Sequence, residues 1–78
     1  MTIGRMLDPT PFVLRGDHIT LDALLKATGL AGSGGGAKVL IASATVHVNA
    51  EVETRRGRKL RAGDEVVVGQ TRVQVQAS

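Results

Sequence analysis

Residues 33–49 read SGGGAKVLIASATVHVN, and the hydrophobic period changes partway along them. Ala37, Leu40, Ile41 and Ala44 recur at helical spacing, with Ser33 placed as an N-cap. After Ser43 the period drops to two, with Val46 and Val48 on either side of His47. Asn49-Ala50 then marks a turn, and Val52 alternates with Glu51 and Glu53. A helix therefore hands over to a β-hairpin, although Ala50 stands where a hairpin turn prefers glycine.

This helix would hold Gly34, Gly35 and Gly36 in its first turn. Each glycine there costs about 0.5–1 kcal/mol relative to alanine. Bare backbone at that place suits the close approach of a neighbouring helix, or of a ligand to the N–H groups. A helix N-terminus attracts anions, and Lys38 lies about one turn inside it. The run is not a nucleotide-binding loop. A P-loop needs glycine before its lysine and Ser or Thr after it, whereas Ala37 and Val39 flank Lys38. The segment before the run reads as a helix, where both the P-loop and the dinucleotide fingerprint require a strand.

Working outward toward the N-terminus, GDHITLDALLKATGL (16–30) is a second amphipathic stretch. Leu21, Leu24, Leu25 and Thr28 share a face, Thr20 is placed as N-cap, and Asp22 lies in the first turn. Ile19 and Leu24 have the spacing of a hydrophobic staple, and Gly29 is placed to end this two-turn helix. Residues 12–14, FVL, form a short apolar run fit for an edge strand. Toward the C-terminus come the basic loop RRGRKLR (55–61), the turn AGD (62–64), EVVV (65–68), a Gly69-Gln70 turn and TRVQVQ (71–76). The last two runs make another hairpin, with Val73 and Val75 facing inward. The expected fold is α+β: two short N-terminal helices packed on a small antiparallel sheet of about four to five strands. Residues 1–11 are expected to be a flexible tail and residues 12–76 a single domain.

Seventy-eight residues with 42% apolar side chains lie near the lower size at which one core suffices. With no cysteine, the fold rests on aliphatic packing, and the composition agrees with a cytoplasmic protein. No run of about 18 apolar residues is present to cross a membrane, and MTIGRMLDPTP lacks the apolar core of a secretory signal. Net charge is +3, and five of the ten basic residues (Arg55, Arg56, Arg58, Lys59 and Arg61) fall within seven positions. Arginine outnumbers lysine in that cluster, which favours bidentate phosphate contacts over a merely solvated face.

The order helix, SGGxAK, helix, V-x-VN-x-E-x-E-x-RRG-x-KL-x-x-GD-x-V resembles the S4-like RNA-binding domain, whose helix-helix-hairpin unit is the αL motif. More closely, it resembles the small stand-alone bacterial proteins of the YbcJ type, over residues 12–76. The resemblance implies non-catalytic binding of RNA, with no cofactor and no small-molecule substrate. Carried over residue by residue, it implies RNA contacts at Ser33, Gly34, Gly35 and Lys38 and at Arg55, Arg56, Arg58, Lys59 and Arg61. Lys26 and Asn49 are lesser candidates: Lys26 lies off the apolar face of its helix, and Asn49 also reads as a turn residue. Two positions depart from the family pattern, which favours glycine where this chain has Ala44 and Ala50. Alanine resists positive φ, so those turns are expected to be strained or reshaped.

His18 and His47 have no metal-ligand spacing and no nucleophile beside them, and no carboxylate pair is set up for acid–base work. The expectation is a protein that is not an enzyme and binds no metal. Phe12, the sole aromatic, cannot form a base-stacking platform. Recognition should rest on phosphates, 2′-hydroxyls and shape, which favours structured or double-stranded RNA, such as ribosomal RNA, a ribosome-assembly intermediate or tRNA. The chain is expected to be a monomer away from membranes. The alternative is an adaptor that docks an acidic protein on the same basic surface. Because the arginines lie in a loop, replacing Arg55, Arg56 and Arg58 is expected to leave thermal stability almost unchanged.

Overall fold

The computed structural model describes residues 9–32 and 34–78. Among these described residues nine short elements follow one another: β1 (Thr10–Val13), β2 (Ile19–Thr20), α1 (Leu21–Ala27), α2 (Gly34–Ala42), β3 (Val46–Val48), β4 (Glu51–Val52), β5 (Lys59–Leu60), β6 (Glu65–Val68) and β7 (Thr71–Gln76). The expected α+β architecture is present, with two helices and five strands in the main sheet. That sheet has the order β1-β7-β6-β3-β4, and β2 and β5 pair separately as a two-stranded ribbon.

Three features differ from the sequence reading. The sheet is mixed, because β1 runs parallel to β7, with Phe12 opposite Val75. Its partner lies at the far end of the chain, a pairing that local periodicity does not encode. β1 also begins at Thr10, so Thr10 and Pro11 belong to the sheet and not to a tail; residues 1–8 lie outside the described residues. The third difference is the helix end. α2 stops at Ala42, and Ala44, assigned to its apolar face by spacing, is exposed with φ 63°. Its amide donates to the Ile41 carbonyl at 3.1 Å, and the Ser43 hydroxyl donates to the Leu40 carbonyl at 2.7 Å. Residue 44 thus serves as the left-handed helix terminator for which glycine is the usual choice.

Alternation decides which side chains are buried. Val46 and Val48 of β3, Val66 of β6, and Val73 and Val75 of β7 point into the core, where they meet Leu21, Leu24 and Leu25 of α1 and Ala37 and Ile41 of α2. Leu60 of β5 and Leu14, which follows β1, close that core. Each fully buried Leu or Val contributes about 1.5–3 kcal/mol over remaining exposed. In this aliphatic core, close packing of branched side chains does the work that aromatic rings or disulfides do in other small domains.

The β3–β4 hairpin turns on Asn49 and Ala50, both at positive φ (51° and 73°). Positive φ at both central residues is the signature of a type I′ turn, the tight two-residue connection whose twist matches that of the strands. Asparagine tolerates the conformation; alanine adopts it at a cost. The expected strain at Ala44 and Ala50 is therefore met by accepting left-handed backbone rather than by reshaping the turns.

Candidate nucleic-acid interface

The chain from Glu53 to Arg58 is held at three points. At its start, the Glu53 amide donates to the Val46 carbonyl at 2.9 Å and extends the β3–β4 ladder by one bond. At its end, β5 pairs with β2, with Lys59 opposite Thr20 and Leu60 opposite Ile19. In between, the amides of Leu21 and Asp22 donate to the carbonyls of Arg58 (2.9 Å) and Arg56 (3.2 Å). The first amides of any helix lack intrahelical partners. In α1 the basic loop supplies them. Thr20 therefore does not act as the expected side-chain cap: its hydroxyl donates instead to Asp22 Oδ1 at 2.7 Å, and that carboxylate also accepts from the Ala23 amide.

Glu53 organises the side chains of the loop. It is 6% exposed and is the one buried charged residue among those described. Its carboxylate accepts from Arg55 Nε (3.0 Å), Arg55 Nη2 (3.1 Å), Arg58 Nη1 (2.7 Å) and the Arg55 backbone amide (3.1 Å). The Arg55 guanidinium, followed by that of Arg58, holds the Glu53 carboxyl down at a pKa of about 2. Burial opposes this by raising it, and the donors that converge on the carboxylate outweigh burial. In the sequence, Glu53 stands only in alternation with Val52. The structure makes it the anchor of two of the cluster's arginines.

The sequence-predicted residues fall into distinct groups. Arg55, Arg56, Lys59 and Arg61 are exposed, while Arg58 is half-buried against Glu53. The Arg61 backbone amide donates to Asp64 Oδ2 at 2.8 Å, in a turn closed by the Asp64 amide on the Arg61 carbonyl. Burial opposes charge at Asp64, yet the Arg61 amide and the Asn49 side chain hold its carboxyl below the usual range. On α2, Lys38 and Gly35 are exposed and Gly36 is half-buried. Packing of α2 against α1 does not by itself require glycine at an exposed position. The first turn of α2 carries no acidic residue, so its positive end is not offset there. Gly34 begins the helix; Ser33 lies outside the described residues. Lys26 is exposed in the last turn of α1.

Asn49 is differently engaged. Its Oδ1 accepts from the Glu65 amide (3.0 Å), its Nδ2 donates to Asp64 Oδ1 (3.1 Å), and its own amide donates to the Glu65 carbonyl (2.8 Å). These bonds join the type I′ turn to the Arg61–Asp64 turn and engage both ends of the side-chain amide, which makes Asn49 a structural residue. The glycine-rich start of α2 and the basic loop lie on different elements, linked through α1, which packs against α2 and holds the loop carbonyls. Among the described residues, no group of three or more His, Cys, Asp or Glu could hold a metal ion.

Known proteins share both the sequence and the fold. The sequence pattern of the S4 domain matches residues 12–76. The chain is 41% identical over 58 residues to a protein of Bacillus subtilis (strain 168) described as a probable ribosome maturation protein, RlbA; the match spans 74% of this chain and 82% of that one. It superimposes with a TM-score of 0.69 on the solution structure of YbcJ from E. coli, at 39% identity and 90% coverage of both chains. That structure is described as revealing an αL motif involved in RNA binding. On the sequence pattern and on the shared helices and sheet, the chain belongs to the S4 domain family.

Proposed function

We propose that this protein binds structured RNA, of ribosomal or ribosome-assembly origin, without catalysing a reaction. The observation that carries the reading is the basic loop. Exposed Arg55, Arg56, Lys59 and Arg61 project from a backbone held by a buried carboxylate and by the amides of α1. A flexible basic tail would bind polyanions through charge alone. A fixed loop sets its cations at defined spacings, which is what recognition by shape and phosphate position needs. The glycine-rich start of α2 adds a second anchor, where N–H groups and Lys38 meet one phosphate. The ribosome-maturation role named for the Bacillus relative and the RNA-binding αL motif of YbcJ support the same class of partner. Phe12, the sole aromatic, is half-buried and packs against the core, which leaves no stacking platform for single-strand readout among the described residues. The reading takes the protein as a cytoplasmic monomer.

Fluorescence anisotropy with a stem-loop RNA, a single-stranded RNA and a duplex DNA, each across a salt series, tests this function. The stem-loop should bind tightest, with a log–log salt slope of about −3.5 to −4.5 for about five phosphate contacts. Equal affinity for duplex DNA, or no binding at low salt, would contradict it.

A further inference from the structure

An acidic side chain inside an RNA-binding loop ought to weaken binding by simple electrostatics. The position of Glu53 points the other way. Its backbone is tied into the main sheet through the Val46 carbonyl, and its carboxylate grips Arg55 and Arg58. Arg58 is in turn tied by its carbonyl to the Leu21 amide at the start of α1. A continuous chain of bonds therefore runs from sheet to carboxylate to arginine to helix.

The guanidinium donors divide accordingly. Arginine carries five N–H donors in a planar fork. Arg55 gives Nε and Nη2 to Glu53, and Arg58 gives Nη1. Among the described residues the remaining side-chain donors of each fork make no other hydrogen bond, and Arg55 keeps 72% of its side chain exposed. With Nε and Nη2 of Arg55 both fixed on a buried carboxylate, the opposite edge of that fork faces a set direction, and Arg58 is held to the same carboxylate by its Nη1. Two long side chains that would otherwise sample many rotamers are ordered before any ligand arrives, which reduces the entropy lost on binding. Glu51, two residues earlier, is exposed on β4, and no ion pair joins it to any described residue. It supplies the same charge without the same geometry.

Resting on the RNA-binding reading, we propose that Glu53 is a positioning residue for recognition: it fixes the Arg55 and Arg58 guanidiniums relative to one another and so determines preference for structured RNA over other polyanions. Glu53 itself touches no RNA. It acts through the two arginines, and selectivity resides in their fixed separation rather than in their charge.

The test compares the full chain with Glu53→Gln, Glu53→Asp and Glu51→Gln. Affinities for a stem-loop RNA and a duplex DNA of equal length are read by anisotropy at one salt concentration. Circular dichroism at the same temperature verifies that each variant is folded. Glu53→Gln and Glu51→Gln raise the net charge equally. Glu51→Gln should keep the RNA-to-DNA preference, whereas Glu53→Gln should lower it about tenfold despite the added positive charge. Glu53→Asp, which keeps the charge but withdraws the carboxylate by one methylene, should also lower it. A purely electrostatic Glu53 predicts the opposite: Glu53→Gln would track Glu51→Gln and Glu53→Asp would match the parent, and that result would overturn the proposal. Should Glu53→Gln not fold, Arg55→Lys and Arg58→Lys decide the matter. Both keep the charge but lose the planar fork, and an unchanged preference in both would be equally contrary. A stem-loop preference that survives in Glu53→Gln overturns this proposal alone, whereas a parent that binds duplex DNA as tightly as the stem-loop overturns the proposed function with it. A parent that binds no RNA overturns the proposed function as well.

Discussion

The Leu21 amide donates to the Arg58 carbonyl at 2.9 Å, so the first helix begins on the basic loop. This bond makes the loop part of the fold as well as part of the proposed binding surface. The Glu53 carboxylate separates the loop's cations into two kinds: Arg55 and Arg58, whose side chains it binds, and Arg56, Lys59 and Arg61, which are exposed and not bound to it.

Stability should divide along the same line. Arg58→Ala leaves the buried Glu53 carboxylate short of its closest partner and should lower stability by about 1–3 kcal/mol. Arg56→Ala removes an exposed side chain and should change it by less than about 0.5 kcal/mol. Chemical denaturation of the two variants checks the pair. The expectation from sequence, that a triple alanine variant at Arg55, Arg56 and Arg58 would be thermally neutral, is revised for the same reason. That variant should melt well below the parent, and almost all of the loss should come from Arg55 and Arg58.

The two left-handed alanines should be the easiest sites to improve. Ala44 and Ala50 hold φ at 63° and 73°, where a Cβ is unfavourable by about 1 kcal/mol. Glycine relieves this but adds freedom to the unfolded chain. Ala44→Gly and Ala50→Gly should each therefore stabilise by about 0.5 kcal/mol, and additively, since the sites lie in separate turns. Ala42→Gly, at the last residue of α2 two positions earlier, relieves no left-handed backbone and should not stabilise. Melting temperatures of the three variants decide the matter.

Acid should act in large part through Glu53. Its carboxyl titrates near 2 when folded, below its ordinary value of 4.5. A depressed pKa contributes stability in full above the unfolded value, and that contribution fades as pH falls through the folded value. The parent should therefore lose stability between about pH 4.5 and pH 2, in step with protonation of this group. Glu53→Gln should be less stable at neutral pH and show a flatter profile across that window. Denaturant melts at half-unit intervals of pH would show it, and parallel profiles for the two proteins would rule out Glu53 as the source.

The outward-facing cations should affect affinity without affecting stability. Lys38→Ala, Arg56→Ala and Lys59→Ala should each reduce the magnitude of the log–log salt slope for RNA by about one unit. Their melting temperatures should stay close to that of the parent. A variant that loses stability and affinity together would move its residue into the structural group.

Much of the fold was legible because each element announces itself within a few residues. The helical spacing of Leu21, Leu24 and Leu25, and the alternation of Val46 with Val48 and of Val73 with Val75, gave both the elements and their buried faces. The parallel pairing of β1 with β7 and the separate β2–β5 ribbon join residues far apart in sequence, where no local period reports on register. Ala44 was misassigned to a helix face because helical spacing does not mark where a left-handed residue ends the helix. At the candidate site, the charge cluster was plain in the sequence. The division of labour inside it was not. An alternating Glu51-Val52-Glu53 strand gives both glutamates the same polarity, yet Glu53, just past the end of β4, is buried while Glu51 stays in solvent.

An NMR titration of the isotope-labelled full chain with a stem-loop RNA tests the binding surface most directly. The proposed surface predicts that amide shifts concentrate in residues 34–38 and 55–61, with His47, Val67 and Gln74 on the outer face of the sheet unmoved. Shifts confined to that outer face, or none at low salt, would contradict the claim that this loop and helix start bind RNA.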